Sequence, residues 1–277
     1  MGRVPRIVLP ILASAILGAC AGTAPGGRSQ WTAPASVSSL YSSIDMNLQL
    51  ATATPIASAC TGAQCKADKA FERQVARLGG RLAQTAFDLD PQLKERIPAF
   101  NFAVAEKSEA GSTSDASGSI VIFRGVRESR PDEAALAYLI AREMGCVIAR
   151  HHDEKSATTV LTTVLAQLLV PALSLTGGVA FLATSAASMM GTKAITASTT
   201  DDRAQEADAI ALKLLARTGW SSPEVGASLS KYARSLGDDS WSQEVRDSAS
   251  KLTKRKEKTS LALADKTAWP HKQPGTE

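Results

Sequence analysis

In the stretch from Tyr138 to His152, YLIAREMGCVIARHH, a base, an acid and a thiol stand at i, i+1 and i+4. On a helix, i and i+4 share a face. This is the spacing at which H-E-x-x-H holds zinc between two His and uses the Glu as general base. Here the five positions are Arg142, Glu143, Met144, Gly145 and Cys146. Arg has no acceptor and keeps its proton, so it cannot ligate a metal. Cys146 can ligate as a thiolate, but one ligand does not make a three-ligand catalytic site. Two chemical capacities remain. Glu143 is a carboxylate base, and Cys146 is a nucleophile if Arg142, one turn earlier, lowers its pKa. A Cys on an apolar helix face is more often a packing residue. His151 and His152 are adjacent, so they point in different directions, and no third ligand accompanies them; they read as surface or helix-end residues, and His271 as tail.

The elements that must position these residues are legible from periodicity. Lys66 to Phe87 carries Phe71, Val75, Leu78, Leu82 and Phe87 near helical spacing. Phe100 to Lys107 alternates like a strand, Ser108 to Ser117 is polar and reads as a loop, and Gly118 to Gly125 is a second strand. Pro131-Asp132-Glu133 opens a helix that runs through the motif, with the Pro and acids where unpaired N–H groups favour them. Val160 to Met190 has no charged residue. Pro171, Gly177 and Gly178 interrupt it, so it reads as an apolar helical hairpin covering the core or site, with a membrane-inserting loop as the rival. Asp201 to Arg217 is a helix ending at Gly219; Ser222 caps a further one, and another spans Trp241 to Lys254.

The chain has 277 residues, 44% of them hydrophobic and only 5% aromatic, enough for one sizeable helical core. Its first twenty residues carry Arg3 and Arg6, an apolar run from Ile7 to Leu17 and then small residues, the pattern of a secretory signal. The end of that pattern, Leu17-Gly18-Ala19-Cys20, resembles a bacterial lipobox. The resemblance implies lipid on Cys20 as mature N-terminus, with Ala21 after it fitting outer-membrane sorting. Residues 21–39, rich in Ala, Gly, Pro, Ser and Thr, read as a flexible tether, and 255–277 as a frayed tail. Cys60 and Cys65 are placed to close a small disulfide in an oxidising compartment, and Cys146 is left unpaired. Without Arg3 and Arg6 the net charge is about +2, no electrostatic footprint for nucleic acid.

The order helix, strand, strand, helix, apolar segment, helix resembles the zinc metallopeptidase family of the CaaX prenyl protease and HtpX, with its BepA and LoiP type envelope relatives. The resemblance covers Lys66 to Leu236. It is carried by IVIFRGV (Ile120 to Val126), by PDEAALAYLIAREMGCVIARHH, and by EADAIALKLLARTGWSSPEV (Glu206 to Val225). It implies an α+β, mainly helical, gluzincin-like domain over residues 40–254, with a small strand pair packed on the motif helix. It also implies that the first metal His falls on Arg142, the general base on Glu143, the second metal His on Cys146 and the metal Glu on Ala204. Asp208 keeps its second-shell place; Glu206 and His151 match structural positions. All three ligand positions are substituted, so the expectation is no cofactor, with zinc bound only if the substituted-site expectation fails.

The function expected is that of a zinc-less pseudopeptidase. It would be an outer-membrane lipoprotein facing the periplasm, held by lipid on Cys20. It would bind envelope proteins or peptides as a scaffold in assembly or quality control. Arg142 would occupy the metal's place and pair with Glu143, Asp208 or Glu206. The rivals are an active peptidase of this family, a Cys146-dependent hydrolase, and a membrane-perturbing protein acting through Val160 to Met190.

Overall fold

The computed structural model describes residues 21–56, 62–159 and 201–254. The expected signal peptide, Cys20, Cys60, the apolar segment Val160 to Met190, and the tail with His271 lie outside the described residues.

The described chain is mainly helical with two small sheets, an α+β arrangement as expected. Strands β1 (Ala21–Thr23) and β2 (Ser29–Trp31) form an antiparallel hairpin, and α1 (Ala35–Thr52) follows. Helix α2 (Gly62–Leu89) buries Phe71, Val75, Leu78 and Leu82 on one face, with Phe87 half-buried against the same core. The second sheet has the order β3 (Asn101–Ala105), β5 (Ser119–Phe123), β4 (Ser112–Ser114). β3 is parallel to β5, and β4 is antiparallel to it. Helix α3 (Glu133–Ile148) carries the motif; α4 is 151–159, α5 is 201–217, α6 is Ser222–Ala233 and α7 is Ser240–Lys254.

Helix α3 is the centre of the molecule. Every residue from Ala134 to Ile148 except Cys146 is buried, and a helix buried on all sides must be wrapped by other elements. Asp132 caps it, its side chain accepting from the Ala135 N–H. The sheet packs on one flank through β4 and β5, with α2 and α6 on others. Against α5 the approach is close enough to require glycine. A Cβ on Gly145 would sit 2.5 Å from the Ala207 carbonyl oxygen.

Four expectations are corrected. Residues 21–39 are the β1–β2 hairpin and the start of α1 rather than a structureless tether. Small residues suit a linker, but here Gly27 at φ +85° makes a tight turn and polar anchors described below hold the hairpin. The polar segment 108–117 contains β4, because its serines and threonine pair along β5 without needing apolar character. The motif helix does not run on through His151: Arg150 is left-handed at φ +62°. The Val147 and Ile148 carbonyls accept from Arg96, both at 3.0 Å, and the Ala149 carbonyl accepts from Gln30 at 3.2 Å. These side chains take the acceptors a continuing helix would use. Finally, α6 is capped by Ser221 and not Ser222. Glu224 lies three residues after Ser221 and completes a reciprocal capping box.

Candidate functional site

Arg142 and Glu143 are neighbours in sequence and part company in space. Helical geometry turns successive side chains by about 100°, and here that sends them into two separate polar networks.

Arg142 points between α5 and α7. Its Nε lies 3.2 Å from Asp208 Oδ1 and one terminal nitrogen donates to Glu244 Oε2 at 3.0 Å. Asp208 is buried and has further donors. Tyr138, one turn before Arg142, donates to Oδ1 at 2.6 Å, and the Ser248 hydroxyl lies 3.1 Å from Oδ2. An i, i+4 pair on α3 (Tyr138, Arg142) thus meets the Asp208 carboxylate on α5, and an i, i+4 pair on α7 closes the cluster, Ser248 on Asp208 and Glu244 on Arg142. Burial works to lower the Arg142 pKa, but the surrounding Cys146, Asp208, Tyr138 and Glu143 outweigh it and raise it above the ordinary value. Burial and the Asp208 charge push Tyr138 well above its ordinary value, so it stays a phenol and a donor.

Glu143 points the other way, at β4. Ser112 and Ser114, two apart and therefore on one side of the strand, each donate to one carboxylate oxygen at 2.7 Å. Each hydroxyl also has a second partner. Trp241 Nε1 donates to Ser112 at 3.0 Å, and His152 Nε2 lies 3.0 Å from Ser114. Ser114 gives its one proton to Glu143, so in this arrangement the Nε2 tautomer of His152 carries the proton and donates to Ser114. Two donor chains, Trp241 to Ser112 and His152 to Ser114, therefore converge on Glu143. Burial lowers the His152 pKa, against the opposing pull of Glu143, and favours the neutral ring.

A third network lies beyond the helix break. His151 Nε2 is 3.1 Å from Glu206 Oε2, and the Gly26 N–H donates to Glu206 Oε1 at 2.9 Å. Arg28 grips Glu154 with two bonds, at 2.7 and 3.0 Å, and reaches Glu206 at 3.3 Å. Arg203 also donates to Glu154 at 3.0 Å. Burial would raise Glu206 and Glu154, but these donors prevail and hold both below the usual carboxylate range. The β1–β2 hairpin is thereby fastened to α4 and α5.

The structure therefore brings Arg142 and Asp208 together as expected, but Arg142 has neither Glu143 nor Glu206 as an ion-pair partner. Glu206 pairs with His151, which is buried and not a surface residue; His152 is half-buried. Ala204 is half-buried on α5, one turn before Asp208, and presents no polar atom. Cys146 is a half-buried free thiol whose pKa is pushed up to about 12, first by loss of solvent around its sulfur and then by Glu143. Arg142 does pull it down, as expected from the i−4 spacing, but the opposing causes win. Cys65 is disulfide-bonded. Its expected partner Cys60 lies outside the described residues.

Of the three expected ligand positions, Arg142 and Ala204 offer no lone pair to a metal. Among the described residues, no three His, Cys, Asp or Glu side chains are placed to hold a metal. Arg142, a fixed cation, stands at one of the three expected ligand positions. Sequence reasoning missed Ser112, Ser114, Trp241, Glu244 and Ser248. The i, i+2 spacing of the serines and the i, i+4 spacing of Glu244 and Ser248 are the signals that mark each pair as sharing a face.

No protein-family model matches the chain, and no curated protein matches it.

Proposed function

We propose that the chain is a zinc-less, metallopeptidase-like lipoprotein that acts as a binding or scaffold module on the periplasmic face of the outer membrane. One observation carries this reading. Arg142 occupies the position where the motif's first metal ligand would stand, and it pairs with Asp208, the residue expected beside the metal. The arginine supplies there a positive charge and two directed bonds, so the crossing of α3, α5 and α7 is held by a permanent ion pair. The state of Glu143 supports the same conclusion. A general base must reach the proton it abstracts, and both Glu143 oxygens already accept from serine hydroxyls that have donors of their own. The Cys146 thiol, raised to about 12, gives little support to a thiolate hydrolase. The gluzincin-like fold, the lipid on Cys20 and partners among envelope proteins or peptides belong to this proposal.

The test is elemental analysis of the protein purified from the cell envelope without chelator, with peptidase assays run alongside on the wild type and Glu143→Gln. The expected result is far less than one equivalent of zinc, and no peptidase activity that the substitution removes. One equivalent of tightly held metal, with activity lost in Glu143→Gln, overturns the proposal.

A further inference from the structure

The large exposed hydrophobic residues among the described part of the chain are confined to its N-terminal elements: Trp31, Val37, Leu40, Ile44 and Leu48, from 39% to 66% exposed. Four of them recur on α1 at steps of three, four and four, so they line one stripe of the helix. That stripe is not the side with which α1 packs. Met46 and Leu50 pack with Ala53, Val121 and Phe123, while Ser38 and Ser42 are buried and bonded toward Asp153 and the Ala116 N–H. Helix α1 thus has a packed side and an outer apolar side. Its single charged residue, Asp45, is drawn off to Lys155 at 2.8 Å.

Trp31, on β2, precedes the start of α1 by four residues. Trp31 pairs directly across the ladder from Ala21, the residue that follows Cys20. An indole at that place has the amphipathic character favoured where hydrocarbon meets headgroups. The area also discriminates between occupants. Together the five side chains expose on the order of 500 Å² of apolar surface, in the size range that marks an interaction site. That is short of the roughly 800 Å² per partner of a stable dimer. No described helix is long and apolar enough to cross a membrane, so α1 would lie along a surface.

We infer that the outer face of α1, together with Trp31, docks onto the lipid bilayer, its aliphatic stripe entering the interface of the membrane that holds the Cys20 lipid. The inference rests on the lipid-anchor reading for which membrane is meant. Such docking would fix the orientation of the domain rather than leave it swinging on an anchor. A parallel layer of apolar side chains adds to the acyl chains' hold, because stable anchoring takes more than one apolar signal.

The test uses the full chain purified from membranes and reconstituted into phosphatidylethanolamine–phosphatidylglycerol vesicles, with and without lipids brominated near the top of the acyl chain. The chain has four tryptophans, so the difference between wild type and Trp31→Phe isolates the Trp31 emission. The expected result is quenching of that emission about twofold by the brominated lipid. A Leu40→Ser/Ile44→Ser/Leu48→Ser variant, altered only at exposed positions, should keep its circular dichroism and lose most of the quenching. An unquenched Trp31 overturns the inference, whether the stripe is then found cross-linked to a second copy or to the chain's own segment 160–190. Palmitate labelling of Cys20 is scored separately. A quenched Trp31 on unlabelled protein sinks the anchor and keeps the docking, whereas labelled protein with unquenched Trp31 sinks the docking alone.

Discussion

Replacing Arg142 by Met removes the cation at the three-helix junction while keeping most of its volume. Asp208 is then left buried with a negative charge and only the Tyr138 and Ser248 hydroxyls to receive it. Breaking a buried ion pair from one side costs about 3–5 kcal/mol. The two remaining donors place the expected loss at the lower end, about 3 kcal/mol, which for a domain of this size is a fall in Tm of about 6–12 °C. Asp208→Asn should cost somewhat less, since the amide oxygen still accepts from Tyr138 and Arg142 keeps Glu244. The Arg142→Met/Asp208→Asn double variant leaves no buried charge. It should be more stable than the two single losses predict by about 2 kcal/mol, because residues in direct contact couple. Glu244→Gln is the control. Its side chain is 57% exposed, and a pair with so exposed a partner is worth at most about 1 kcal/mol. Urea unfolding of the wild type and these four variants at neutral pH reads all of this. If Arg142→Met costs less than Glu244→Gln, or the double loss is additive, Arg142 is not the electrostatic keystone of the junction.

Stability should also fall in acid, in two stages. His152 has a folded pKa below its unfolded value near 6.5. Its contribution is therefore complete above pH 6.5, and it declines below that as the unfolded chain takes up the proton first. Glu154 and Glu206, both depressed, are fully favourable above their unfolded values near 4.5 and are lost as pH falls through their folded ones. His152→Gln retains an N–H donor for Ser114 and should flatten the first stage in denaturation curves from pH 7 to 5; an unchanged slope would place the first stage elsewhere. At pH 8 a thiol of pKa about 12 has about a thousandfold less thiolate than a free cysteine, so iodoacetamide should modify Cys146 about that much more slowly than a model thiol. Labelling at the free-thiol rate would revive the nucleophile. Gly145→Ala should destabilise by about 1–3 kcal/mol or more in the same urea assay, since the new Cβ meets a backbone oxygen that cannot rotate away; a neutral result would mean that α3 and α5 can separate freely.

How far the sequence reached differs by element for physical reasons. Helices α2, α5 and α7 and strands β3 and β5 carry their periodicity in apolar residues, and their positions were legible to within a few residues. Strand β4 carries Ser112, Thr113 and Ser114, which have no hydropathy contrast, so its register on β5 comes from the backbone ladder alone. The β1–β2 hairpin is held by Arg28, Gly26 and Gln30 reaching residues more than a hundred positions away, and composition reports nothing of such contacts. The break at Arg150 is equally non-local, being set by Arg96 and Gln30. Within the site, the Arg142–Asp208 pair was among the expectations. Glu244 and Ser248 were not, because they lie on α7, beyond Leu236, where the resemblance expected from the sequence ends.

The separation of Arg142 from Glu143 is the feature with the widest consequence. Were the two paired with each other, the helix would hold a self-contained ion pair and the surrounding elements would be free to vary. Instead each residue recruits a different set of partners. Arg142 ties α3 to α5 and α7; Glu143 ties it to β4 and, through His152 and Trp241, to α4 and α7. Helix α7 takes part in both, with Trp241 on one network and Glu244 and Ser248 on the other. The hydrogen bonds around Glu143 thus join α3, β4, α4 and α7 at one carboxylate. A hydrolase needs its base beside water and substrate. Here the same carboxylate accepts from Ser112 and Ser114, so it serves as a structural acceptor between α3 and β4.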